Sequence, residues 1–134
     1  MIINDTERLK MEDGKVGIVA CSGASNTGAY SDLVARKLMQ RGKSKMLCLA
    51  RFAIDEKFTE QSKQEYSRFV VLDGCPINCA EEILKDKGIT TFKHINTTDF
   101  GIVKGKTPVT VDKVDEIIDY IETVELNNLI YNEK

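Results

Sequence analysis

The residues of this chain best equipped for chemistry are its four cysteines, and their placement is uneven. Cys21 closes the apolar run Val16-Gly17-Ile18-Val19-Ala20, Cys48 lies in Met46-Leu47-Cys48-Leu49, and Cys75 follows Val70-Val71-Leu72-Asp73-Gly74. Each of these stands where a strand pattern runs out, and Cys79 comes one helical turn after Cys75. In a chain of alternating strands and helices, ligands bind at the carboxyl ends of the strands. Thiols gathered on that edge suit a metal site or a thiol-based active site, because the thiolate is both soft ligand and nucleophile. The plain alternative is burial, since a free cysteine also packs as a small apolar residue. Cys48, between two leucines, is where that alternative fits best.

The elements that must position these thiols alternate along the chain. A first strand, Val16 to Cys21, leads through a small-residue turn, Ser22 to Gly28, into a helix with Tyr30, Leu33, Val34 and Leu38 on one stripe, ending at Gly42. A second strand is predicted over Lys45 to Ala50. The charged connection Phe52 to Arg68 has room for one short helix around Thr59 to Tyr66. The third strand, Phe69 to Leu72, is an unbroken apolar run, as expected of a strand covered on both faces. Pro76 suits the first position of the next helix, which carries Ile77, Ala80 and Leu84 inward and ends at Gly88. A fourth strand, Thr91 to Ile95, and a last helix from Val111 to about Leu126 complete the pattern. That helix places Val114, Ile117, Ile118, Ile121 and Val124 on one stripe.

This alternation predicts the α/β class: a three-layer α/β/α sandwich with a mostly parallel four-stranded sheet in the flavodoxin-like order 2-1-3-4. One domain is expected over residues 1–134, with a globular core at about 15–126. Cys48, Cys21 and Cys75 then end three adjacent strands, ~4.8 Å from one to the next. Cys79 falls on the same helix face one turn beyond Cys75. Four thiolates round one centre make a tetrahedral, all-cysteine zinc site. An iron–sulfur cluster takes the same ligands. A thiol redox or sulfur-transfer enzyme would use Cys75 as a low-pKa nucleophile at a helix start and Cys79 to resolve it. The residues leave open whether the chain is an enzyme.

The turn Ser22-Gly23-Ala24-Ser25-Asn26-Thr27-Gly28 joins a strand to a helix, where backbone N–H groups and the helix dipole can hold a small anion. It lacks the Gly-Lys-Ser/Thr ending of a P-loop, and Thr27 stands where a Cys-x5-Arg phosphatase loop needs arginine. A helix cap by Ser25 or Asn26 explains the same residues. Asp73 either orients a ligand from behind or caps the following helix. His94, the only histidine, sits in a strand pattern and is left outside the site.

Composition sets the limits. With 19 basic and 21 acidic residues and a net charge of −2, the chain has no basic field for nucleic acid or an anionic membrane. No apolar run nears the ~20 residues that span a bilayer. The segment Met1 to Lys15, with Asp5, Glu7, Glu12 and Asp13, lacks a signal peptide's apolar stretch. A cytoplasmic location is therefore expected, where thiols stay reduced and disulfide staples are disfavoured. Nothing in the sequence fixes the oligomeric state.

Together, Cys21-Ser22-Gly23-x-Ser25-Asn26-x-Gly28, Cys48-Leu49-Ala50 and Asp73-Gly74-Cys75-Pro76-x-x-Cys79-Ala80 resemble the DGC-domain family. That family takes its name from the Asp-Gly-Cys motif and is described in terms of zinc binding. The resemblance runs over about residues 15 to 122. It implies zinc as cofactor and Cys21, Cys48, Cys75 and Cys79 as its chelating residues, in a structural, carrier or sensor role. It departs at Ala24, where relatives carry a further cysteine, so here the ligand set is confined to the four. The resemblance implies no reaction.

Overall fold

β1 (Val16–Ala20) is buried along its whole length, and the sheet is built around it. In the computed structural model, which describes residues 16–42 and 44–126, β1 pairs in parallel with β2 (Lys45–Met46) on one side and β3 (Arg68–Asp73) on the other. β3 pairs in parallel with β4 (Phe92–Asn96), so the order is β2-β1-β3-β4 and every pairing is parallel. This is the predicted order, and the register sets Ala20 beside Leu72 and Asp73 beside Asn96. The flanks of the expected 1–134 domain lie outside the described residues.

Alternate strand residues serve opposite layers. Ile18, Ala20, Val70, Leu72 and Ile95 pack under α1 (Asn26–Gln40) and α5 (Val111–Tyr120), the latter continuing as a π-helical segment, Ile121–Leu126. Tyr30, Val34, Leu38, Val114, Ile117, Ile118 and Ile121 are the helical half of that core, as the stripes predict. Val19, Phe69 and Val71 pack on the other face, against Phe52 of α2 (Leu49–Ile54) and Ala80 and Leu84 of α4 (Cys79–Asp86). α3 (Glu56–Glu65) joins this layer through Phe58, which meets the Phe52 ring edge-on. The result is the three-layer sandwich.

Several boundaries differ from the sequence expectation. β2 pairs over only Lys45–Met46, and the Leu47 amide still reaches Ile18 O at 2.8 Å before the chain turns into α2 at Leu49. A short apolar run such as Leu47-Cys48-Leu49 reads equally as strand or as buried helix start. The connection beyond it holds two helices, because Asp55 ends α2 and caps α3 by accepting from Phe58 N at 3.0 Å.

Pro76 is not in a helix. Residues 75–78 form a turn closed by Asn78 N donating to Cys75 O at 3.1 Å, and Asn78 adopts the left-handed conformation at φ 56°. α4 therefore begins at Cys79, and Cys75 and Cys79 do not share a helix face. Ile77 points away from the core at 71% exposure, and Leu33 and Val124 lie at the exposed margins of their stripes. Among the described residues no helix is long and apolar enough to cross a membrane.

Candidate metal centre

Cys21 extends the β1–β3 pairing by one residue, its amide donating to Leu72 O at 2.9 Å. Strand alternation turns its side chain to the α2/α4 layer, where it packs beside Val19. Cys75 follows the Asp73-Gly74 step at the end of β3. A Cβ added to Gly74 would lie 2.6 Å from Thr27 O and 2.9 Å from Gly28 N, so only glycine lets β3's exit touch the first turn of α1. Cys79 is the first residue of α4. Cys48 stands immediately before α2, exposed, and its side chain caps nothing. α2 and α4 pack on each other, so Cys48 and Cys79 open two neighbouring helices.

All four thiols are free. Burial pushes the Cys21 thiol above the ordinary value, and negative charge on Asp73, Cys79 and Cys75 and a hydrogen bond with Cys79 add to the shift. Charge on Cys75 and Cys79 thus acts on Cys21, and Cys48 is not among the groups that do. Among the described residues, no three His, Cys, Asp or Glu side chains are already drawn together as metal ligands. The donor set is nonetheless all thiol, and Cys48 and Cys79 are exposed, with room to rotate.

The raised Cys21 value has a measurable consequence. Its neutral form persists to higher pH than that of an ordinary thiol, so in metal-free protein its alkylation by iodoacetamide should lag as pH climbs through the thiol range. Site-resolved mass spectrometry would check this. Cys21 alkylating as readily as a thiol in a short peptide would contradict it.

Asp73 is 1% exposed, and both its oxygens are used. Oδ1 accepts from Ala80 N at 2.8 Å and Oδ2 from Glu81 N at 3.1 Å, so it caps α4 from seven residues upstream. The capping expectation holds. Oδ2 also lies 2.9 Å from His94 Nε2, and His94 Nδ1 lies 3.7 Å from Glu81 Oε2. His94, left outside the ligand set by the sequence, thus contacts Asp73, the first residue of the Asp-Gly-Cys segment. Asn96, two positions on and on the same face of β4, was missed altogether. Its Nδ2 donates to Cys75 O and to Asn78 Oδ1, each at 2.8 Å. The signal that could have found both is their two-residue spacing on β4, the strand beside the Cys75 strand.

In the turn, Ser25 Oγ accepts from Gly28 N at 3.2 Å and lies 3.0 Å from Thr27 Oγ1, so Ser25 is the cap of α1. Asn26 instead ties down a distant loop. Its Nδ2 donates to Val103 O at 3.0 Å and Thr107 O at 2.7 Å, and its Oδ1 accepts from Gly105 N at 2.8 Å. The Gly28 amide is thus taken by the Ser25 cap, and the Asn26 side chain by the 103–107 loop. Ser22 and Gly23 are exposed at the mouth of the turn.

No solved structure matches the chain at a significant level. The Anaerobic and virulence modulator AnvM of Pseudomonas aeruginosa PAO1 is 25% identical over 87 residues, 65% of this chain and 66% of AnvM, just under two thirds of that relative's length. The DGC domain model matches residues 17–121, from β1 through the first residue after α5, and takes in all four cysteines and the Asp73-Gly74-Cys75 segment. The chain belongs to the DGC domain family.

Proposed function

We propose that this protein binds one zinc ion through the thiolates of Cys21, Cys48, Cys75 and Cys79 at the carboxyl edge of the sheet. The observation that carries the reading is the placement of free thiols at one edge, Cys21 at the end of β1, Cys75 just after the neighbouring β3 and Cys79 at the start of α4, with charge on Cys75 and Cys79 acting on Cys21. Cys48, at the start of the helix packed on α4, is the fourth donor. Thiolates suit zinc and other soft ions, and each must lose its proton on binding. A closed four-thiolate shell leaves no coordination position for a water, so the reading is ion holding rather than metal-assisted hydrolysis.

Elemental analysis of protein purified without added metal or chelator should find about one zinc per chain. Cys75→Ser and Cys79→Ser should each lower the metal content sharply, because a serine hydroxyl is a poor soft ligand, whereas Ala24→Ser should leave it unchanged. Metal-free protein with four freely titrating thiols would overturn the reading. Full occupancy in Cys79→Ser would remove that residue from the ligand set. A brown protein with visible absorbance would replace zinc by an iron–sulfur cluster.

The action of Cys79 on the Cys21 thiol favours a second reading, thiol redox chemistry. The couple is then Cys21 with Cys79, since Cys75 is not at the helix start. Hydrogen peroxide would accept two electrons and both thiol protons, leaving two waters and one disulfide. Non-reducing peptide mapping after peroxide treatment distinguishes a Cys21–Cys79 link from a Cys75–Cys79 link.

A further inference from the structure

Asn78 is the one non-glycine residue with positive φ among the described residues, and it lies between Cys75 and Cys79. For an L-residue that conformation is unfavourable unless something local supports it. The support comes from β4. Asn96 is 9% exposed, and its Nδ2 donates to both Asn78 Oδ1 and Cys75 O at 2.8 Å. Its own Oδ1 is held by Thr98, which donates from its amide at 3.1 Å and its hydroxyl at 2.6 Å. The amide orientation is therefore fixed at both ends. Cys75 O also takes the Asn78 amide at 3.1 Å, so the 75–78 turn is tied at two points to one strand end.

We infer that Asn96 and Asn78 form a latch that sets the bite of Cys75 and Cys79 on a soft metal ion, Asn96 acting as a positioning residue that touches no ligand. The inference rests on the proposed metal-binding reading. Were the latch absent, Asn78 would be released to ordinary right-handed or extended backbone, and the Cys75 thiol would swing relative to Cys79. A Cys-x3-Cys pair on a continuous helix holds its spacing through the helix; here the chain is broken between the two, and the spacing depends on the neighbouring strand.

The test compares wild type, Asn96→Ala, Asn78→Gly and the double variant in four measurements: zinc affinity against a competing chelator, the cobalt(II) spectrum, far-ultraviolet circular dichroism, and hydrogen exchange of the metal-free proteins. Asn78→Gly keeps the left-handed conformation accessible while removing the side-chain acceptor, so it guards against simple misfolding. Each single variant should bind zinc ten- to a hundredfold more weakly, with weakened tetrahedral cobalt bands and native circular dichroism. The double variant should lose no more than the worse single, because both break one latch. In metal-free protein the Asn78 amide should exchange at least tenfold faster in Asn96→Ala, while β1 and β3 amides stay protected. Singles that bind like wild type, or losses that multiply in the double variant, would overturn the latch. Wild type that binds neither metal would overturn the metal reading instead; the exchange rate of Asn78 then decides the latch by itself, unchanged exchange refuting it.

Discussion

Gly74→Ala should be among the most damaging single-methyl additions to this protein. Its Cβ would meet the carbonyl oxygen and carbon of Thr27 at 2.6 and 2.7 Å and the amide of Gly28 at 2.9 Å. All three are backbone atoms, so no side chain can swing away to relieve the clash. Thr27 O is itself fixed, accepting from Thr97 Oγ1 at 3.2 Å and Ser31 Oγ at 3.3 Å. The chain must open between the end of β3 and the first turn of α1, at a cost of about 2–3 kcal/mol by analogy with overpacked cores. Urea denaturation of the metal-free protein measures this, and a loss below ~0.5 kcal/mol, the level of an ordinary surface change, would show that the edge yields. Gly23→Ala is the control, because nothing lies within 4 Å of a Cβ built there. The middle glycine of the Asp-Gly-Cys motif is thus explained by a close backbone approach, independently of metal.

Asp73→Ala should cost about as much, by a different route. Removing the carboxylate leaves the Ala80 amide buried without an acceptor, deprives Glu81 N of its partner and strips His94 of its nearest anion. An unsatisfied buried donor costs ~1–3 kcal/mol and the loss of a helix cap ~1 kcal/mol. The expected total is about 3 kcal/mol, or a fall in Tm of roughly 10 °C for a chain of this size. Asp73→Asn keeps one carbonyl acceptor for Ala80 N and should recover part of the loss. If Asp73→Ala and Asp73→Asn proved equally stable and close to wild type, the cap would be dispensable. The two substitutions, at Gly74 and at Asp73, act on adjacent residues, so their effects should not add in combination.

The layers and strand order were legible because they follow from long-period patterning. Val34, Leu38, Ile117 and Ile118 announce their helices by spacing, and the run Phe69 to Leu72 announces a strand covered on both sides. Short segments were not legible. Leu47 to Ala50 has too few residues for either period to show, and only tertiary context makes Leu49 the start of α2. Pro76 signals a helix start, but Asn78 delays it by adopting φ 56°, which Asn tolerates better than most residues. The four thiols were legible by type, three of them also by their position after strand patterns and Cys79 by its spacing from Cys75. Asp73, His94 and Asn96 were harder, because their partners lie seven to 21 positions away and meet through the turn into α4 or the β3–β4 register.

The all-parallel sheet also fixes an order of events in time. It contains no hairpin, so each strand reaches its neighbour only after a crossover, and β1 finds both its partners from chain that follows it. Cys21 and Cys79 meet only once β3 has paired with β1 and α4 has docked behind it. Such non-local pairings carry a loop-closure cost that slows them relative to helix formation. In a refolding experiment the thiol cluster should therefore mature late: helical circular dichroism should recover first, and the sulfur–cobalt absorption of added cobalt should follow with the slowest phase. An ion at this edge would act as a lock on a finished sheet, with no part in choosing its topology.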